Sequence, residues 1–169
     1  NAVVERGVND DEIVDLARFG RDEGVEVRFI EFMPLDASGH WMNDKVVGQD
    51  EIVAAIAAAF PIESVPARGA APADTWRYLD GRGVVGVIPK VTKPFCGDCD
   101  RVRLTADGKF RTCLFATDEF DLMSLLRNGA TDDQLAAEIQ RAVGTKWAGH
   151  QIGQVTFVKP RRTMSQIGG

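Results

Sequence analysis

Between residues 1 and 33 the chain spells strand, helix, strand, and this order constrains the fold more than any other feature. Residues 1–5 read as a strand. A turn, Arg6-Gly-Val-Asn-Asp10, leads into a helix start. There Asn9 and Glu12, three residues on, resemble a capping box, and Asp10 and Asp11 favour the positive helix end. Ile13, Leu16, Ala17 and Gly20 fall on one helical stripe, with Gly24 as the C-cap. Residues 25–33 make a second strand, stopped by Pro34. Consecutive strands joined across a helix pair in parallel, so the chain opens as part of an α/β sheet.

The pattern then changes. Residues 35–48 form a polar loop around Trp41, and residues 50–60 an alanine-rich helix broken by Pro61. Residues 62–73 read as irregular, which places a lobe boundary near Pro61. Short strands follow at 75–80 and 84–89, then at 101–105 and 109–115, with the spacing of antiparallel hairpins. Two helices are expected at 119–128 and 131–143, the second opened by a capping box, Thr131-Asp-Asp-Gln134. A short strand is expected at 154–158. Gly81-Arg-Gly83-Val-Val-Gly86 matches a dinucleotide fingerprint, but it lies between two strands and opens no helix. A hairpin turn explains its glycines.

Composition narrows the class. The 169 residues are 44% hydrophobic and 27% charged, as in a globular chain. A net charge of −5 argues against general nucleic-acid binding. No apolar stretch reaches the roughly 18 residues of a membrane helix. Three cysteines, an odd and low number, suit a reducing compartment and a cytoplasmic protein. Residue 1 lies inside a strand, so further residues are expected before it.

The three cysteines stand as Cys96-Gly-Asp-Cys99 and, thirteen residues later, Cys113. Two thiolates in one loop and a third from a neighbouring strand grip one metal centre and leave a fourth position open. Unrelated buried thiols are the bland alternative. Structural zinc is another, with His40 or His150 as fourth ligand, though neither histidine has a supporting spacing. A thioredoxin-like pair would open a helix, and this one leads into a strand. From Lys90 to Arg111 six basic residues face three acids, a locally positive segment in an acidic chain.

Thr105-Ala-Asp-Gly108-Lys109 suits a three-residue loop closed by a left-handed glycine. Thr105 then faces Lys109, paired positions sum to 214, and Cys113 falls opposite Arg101. Arg101 and Arg103, two apart, share that face. Such paired guanidiniums recognise phosphate, carboxylate or a purine edge. A two-residue loop would instead bring Cys113 to the face of Val102. In Arg28-Phe-Ile-Glu-Phe-Met33 alternation separates Arg28 from Glu31 and Met33, whose strand end would be the active face of a barrel; for Met33 core packing is the simpler role. Gly168 and Gly169 form a thin tail able to enter a narrow pocket, or simply fray.

These motifs, with Asn1-x-Val-x-x-Arg6-Gly-x-Asn9-Asp10, Phe95-Cys-x-x-Cys-x-Arg-x-Arg-Leu104, Asp107-Gly-Lys-Phe and Cys113-Leu-Phe, resemble the molybdenum cofactor biosynthesis protein A (MoaA) family of radical-SAM GTP 3′,8-cyclases. The resemblance implies the C-terminal half only, because the family's C-x-x-x-C-x-x-C motif for a first [4Fe–4S] cluster and SAM is missing. It implies the last units of an incomplete TIM-type barrel over residues 1–60 and an α+β domain with antiparallel hairpins over 61–169. Cys96, Cys99 and Cys113 would ligate a second [4Fe–4S] cluster whose open iron meets the guanine of GTP. Arg101, Val102 and Arg103 would bind GTP, Met33 would contact SAM, and Gly168 and Gly169 would reach into the active site.

The implied activity converts GTP and SAM to 3′,8-cyclo-7,8-dihydroguanosine triphosphate. It begins with hydrogen abstraction from C3′ by the 5′-deoxyadenosyl radical, and guanine C8 is inserted between ribose C2′ and C3′. A downstream cyclic pyranopterin monophosphate synthase is the implied partner, and a homodimer the implied assembly. Without the other half the chain is expected to be inactive. The competing reading is a structural zinc-binding interaction module.

Overall fold

The computed structural model describes residues 1–35, 39–66, 69–146 and 157–167. They form two compact units: residues 1–34 with 41–99, and residues 35–40 with 100–169.

The first unit is one mixed sheet with two helices. Strand β1 (Ala2–Val4) crosses over through helix α1 (Ile13–Glu23) to β2 (Val27–Glu31), and the two pair in parallel, Val3 opposite Ile30. Helix α2 (Gln49–Ala59) leads to β3 (Ile62–Val65), β4 (Asp74–Tyr78) and β5 (Val84–Ile88). The order is β1-β2-β5-β4-β3, with β5 parallel to β2 and antiparallel to β4. The sheet thus continues past Pro61, and the segment expected to be irregular contains β3, paired with β4. Its residues carry strand pattern only once a partner edge is supplied. The Gly81–Gly83 stretch is the β4–β5 hairpin turn, with no helix behind it.

The core gathers Val4, Phe29, Tyr78, Val85 and Val87 from the sheet with Ile13, Ala17, Ile52 and Ile56 from the helices. Each large apolar side chain so buried contributes about 2 kcal/mol. Gly20 lets α1 lie directly on β2, since a Cβ there would stand 2.7 Å from Val27 Cγ2. The expected capping box at Asn9 does not form. Residues 10–12 are a 3-10 turn, and the Asn9 side chain instead accepts from Glu5 N–H (2.9 Å) and donates to Val3 C=O (2.9 Å). A short polar side chain beside a strand end satisfies that backbone in preference to the helix.

The second unit holds β6 (Arg103–Leu104), β7 (Lys109–Arg111) and β8 (Phe120–Asp121), an antiparallel sheet in that order, with helices α3 (Leu122–Arg127) and α4 (Asp132–Gly144). At α4 the expected capping box is complete: Thr131 Oγ1 accepts from Gln134 N–H and Gln134 Oε1 from Thr131 N–H. Most of the strand expected at 154–158 falls outside the described residues. Among the described residues no helix is long and apolar enough to cross a membrane.

Candidate functional site

Beyond β5 the chain turns into the segment that carries two of the cysteines. A buried carboxylate organises its approach. Glu31, fully buried at the end of β2, accepts from the backbone N–H of Gln49 (3.0 Å), Val91 (2.6 Å) and Thr92 (2.8 Å) and from the Thr92 hydroxyl. Gln49 is the first residue of α2, so the carboxylate also sits at a positive helix end. Glu31 is therefore spent inside the fold, joining the ends of β2, α2 and the post-β5 loop. Met33, two residues on, is half-buried.

Cys96 and Cys99 lie at the two ends of one 3-10 turn, closed by Cys99 N–H to Cys96 C=O at 3.3 Å. The tight turn brings side chains three residues apart together, which explains the spacing. Beneath it Lys90, 6% exposed, points Nζ at Cys96 Sγ (3.8 Å) and over the Phe95 ring, 4.6 Å from its centroid. All three cysteines are of intermediate exposure and outside any disulfide.

In the second unit the β6–β7 hairpin has the expected register, Arg103 opposite Arg111 and Leu104 opposite Phe110, with Gly108 left-handed at φ 71°. The ladder ends before Arg101 and Cys113. Past it, Lys146 Nζ donates to the carbonyls of Arg101 and Thr112, both at 2.6 Å, and so clasps the two strands together. Cys113 begins a turn: its carbonyl accepts from Ala116 N–H (3.2 Å) and its Sγ from Phe115 N–H (3.4 Å). Arg103 donates from Nη1 to the carbonyl of Ile167 (3.1 Å), the last described residue and fully buried. Val102 is 43% exposed.

Facing Arg103, Arg111 is 2% exposed and donates to Ala116 C=O and to Glu119. Two opposed arginines would repel. Glu119 offsets this, and it also receives Arg162 Nε at 2.6 Å. Arg162 in turn forks onto Asp107 (2.7 and 3.2 Å), which accepts from the Thr105 hydroxyl at 2.6 Å. The Arg162 fork, then the Thr105 hydroxyl, hold the Asp107 carboxyl down at about 2. Arg162, and more weakly Arg111, lower Glu119 against the opposing effect of burial. A cavity of about 560 Å³ borders the network, its lining carrying Arg111, Lys159, Arg161 and Arg162 against Glu119. No sequence motif singles out Arg111 or Lys146, although the 214 register itself sets Arg111 opposite Arg103.

Cys96 and Cys99 belong to the first unit, and Cys113 to the second. Among the described residues no group of three or more His, Cys, Asp or Glu side chains is gathered to hold a metal ion. His40 is exposed, and His150, Gly168 and Gly169 lie outside the described residues.

Residues 25–152 match the molybdenum cofactor synthesis C family. Over its whole length the chain is 46% identical to a GTP 3′,8-cyclase of Streptomyces coelicolor, of which it covers 50%. It is 45% identical to GTP 3′,8-cyclase 2 of Mycobacterium tuberculosis and 44% identical to the GTP 3′,8-cyclase of Mycobacterium marinum, covering 48% of each. The chain thus spans about half the length of the curated relatives it matches. Its hairpin motifs and this match along the full chain agree: the protein belongs to the molybdenum cofactor synthesis C family.

Proposed function

We propose that this chain is the substrate-side half of a GTP 3′,8-cyclase of molybdenum cofactor biosynthesis, a radical-SAM lyase. The observation that carries the reading is 44–46% identity along the entire chain to proteins of that name. On this reading the first sheet continues an incomplete TIM-type barrel, and Met33 contacts SAM beside a first [4Fe–4S] cluster held elsewhere in the protein. The chain alone is inactive, and cyclic pyranopterin monophosphate synthase acts downstream.

Cys96, Cys99 and Cys113 are the proposed ligands of a second [4Fe–4S] cluster. The donor set suits it: three cysteines outside any disulfide, two of them on one turn, with Lys90 Nζ 3.8 Å from Cys96 Sγ. Once bound, such a cluster would supply a Lewis-acidic iron for the guanine base. The chain's own residues do the rest. Arg101, Val102 and Arg103 bind GTP, with Lys146 clasping their segment to the one that leads into Cys113. The cationic cavity suits a triphosphate. Arg103 ties down Ile167, the residue before the Gly168-Gly169 pair proposed to reach into the active site.

Anaerobic reconstitution with iron and sulfide tests the reading. A brown chain with about four irons, lost on Cys113→Ser, is the expected result. A colourless chain holding one zinc would establish the structural zinc module instead.

A further inference from the structure

We infer that Lys90 is a positioning residue that donates to the Cys96 sulfur and tunes the electronic state of the centre bound there. The inference rests on the iron–sulfur reading above. An ammonium loses several kcal/mol on leaving water unless a partner replaces its hydration. Lys90 is only 6% exposed, and among the described residues no carboxylate pairs with it. Its surroundings are instead the Phe95 ring face, 4.6 Å away, and Cys96 Sγ at 3.8 Å. Phe95 is itself buried. The ring contributes a quadrupole.

The local fold sets this geometry. Pro89 is buried, Lys90 N–H donates to Ile88 C=O at 3.0 Å, and Glu31 grips the next two backbone N–H groups. Lys90 is thereby fixed at the end of β5, under the turn that bears Cys96. The cysteines are consequently unlike one another: Cys113 receives a neutral backbone donor at 3.4 Å, and Cys96 a cationic one. A donor on a ligating sulfur draws electron density from the metal and favours its more reduced, more negative state. Lys90 should therefore raise the reduction potential of the centre.

The test is a redox titration of the reconstituted 169-residue chain, with dithionite as reductant and electron paramagnetic resonance as readout. In Lys90→Met the reduced-to-oxidised ratio at a fixed potential should fall about tenfold, equivalent to about 59 mV for one electron. Lys90→Gln, keeping a neutral donor, should fall between, and Lys90→Arg should stay near wild type. Should Lys90→Met fail to hold iron, Lys90→Gln decides alone. Wild-type potentials in the iron-loaded Met or Gln variants overturn the inference and leave the site reading intact. Failure of the wild-type chain to take up iron overturns the site reading, and the inference with it.

Discussion

Glu31 shows how one residue organises a segment from inside the fold. Its carboxylate is fully buried and meets four donors from two segments, the start of α2 and the loop after β5. Hydrogen bonds to a charged group contribute about 1.5–3 kcal/mol each way they are counted, and a donor left unpaired costs a similar amount. Glu31→Gln keeps the volume but turns an NH2 group toward backbone N–H donors. We expect it to lower stability by about 3 kcal/mol, measured by urea unfolding. A loss below about 0.5 kcal/mol would mean that water reaches the site. Alternation along β2 does place Glu31 with Met33, away from Arg28. What alternation omits is that backbone donors from distant elements converge there.

Among the elements, the β6–β7 hairpin depends on Gly108 in two ways. Its φ of +71° is a left-handed conformation, and an added Cβ would stand 2.5 Å from Met123 Cβ at the start of α3. Its carbonyl also accepts from Leu122 and Met123 N–H, at 3.1 and 3.2 Å. Gly108→Ala should cost about 3 kcal/mol, the sum of left-handed strain and overpacking. Gly7 has φ +77° and nothing within 4 Å of an added Cβ, so Gly7→Ala should cost only about 1 kcal/mol. Thermal unfolding of the two variants compares them, and equal losses would remove the packing contribution. The hairpin register was legible because Thr105-Ala-Asp-Gly-Lys109 admits few loop types. The missing cap at Asn9 was not, because the same residue types cap helices and strand ends alike.

At the scale of the whole chain, one ion network should make the second unit acid-sensitive. Arg162 joins Asp107 and Glu119, and both carboxyls are held below their ordinary values of 3.8 and 4.5. Lowered folded-state values stabilise above the unfolded ones and lose that contribution as pH falls through the folded ones. Protection of the hairpin amides should thus hold at pH 5 and decline from about pH 4 toward 2, read by hydrogen exchange. Arg162→Gln should move the decline to higher pH. An unchanged profile would show that the ion network contributes nothing there.

The features legible from the residues alone are local: the parallel strand–helix–strand opening, the hairpin register, the α4 capping box and the cysteine and arginine spacing. Each follows from periodicity, turn chemistry or short-range hydrogen bonds, which act between residues near in sequence. The tertiary structure alone decided that β3 joins the first sheet, that Glu31 is buried among backbone donors, that Lys90 lies under Cys96, and that Arg111 and Arg162 share Glu119. Those pairings join residues up to about sixty positions apart. A lone Lys, Arg or Glu reads in sequence as a solvated charge. It becomes a partnered, buried one only when the packed chain removes water and supplies the partner.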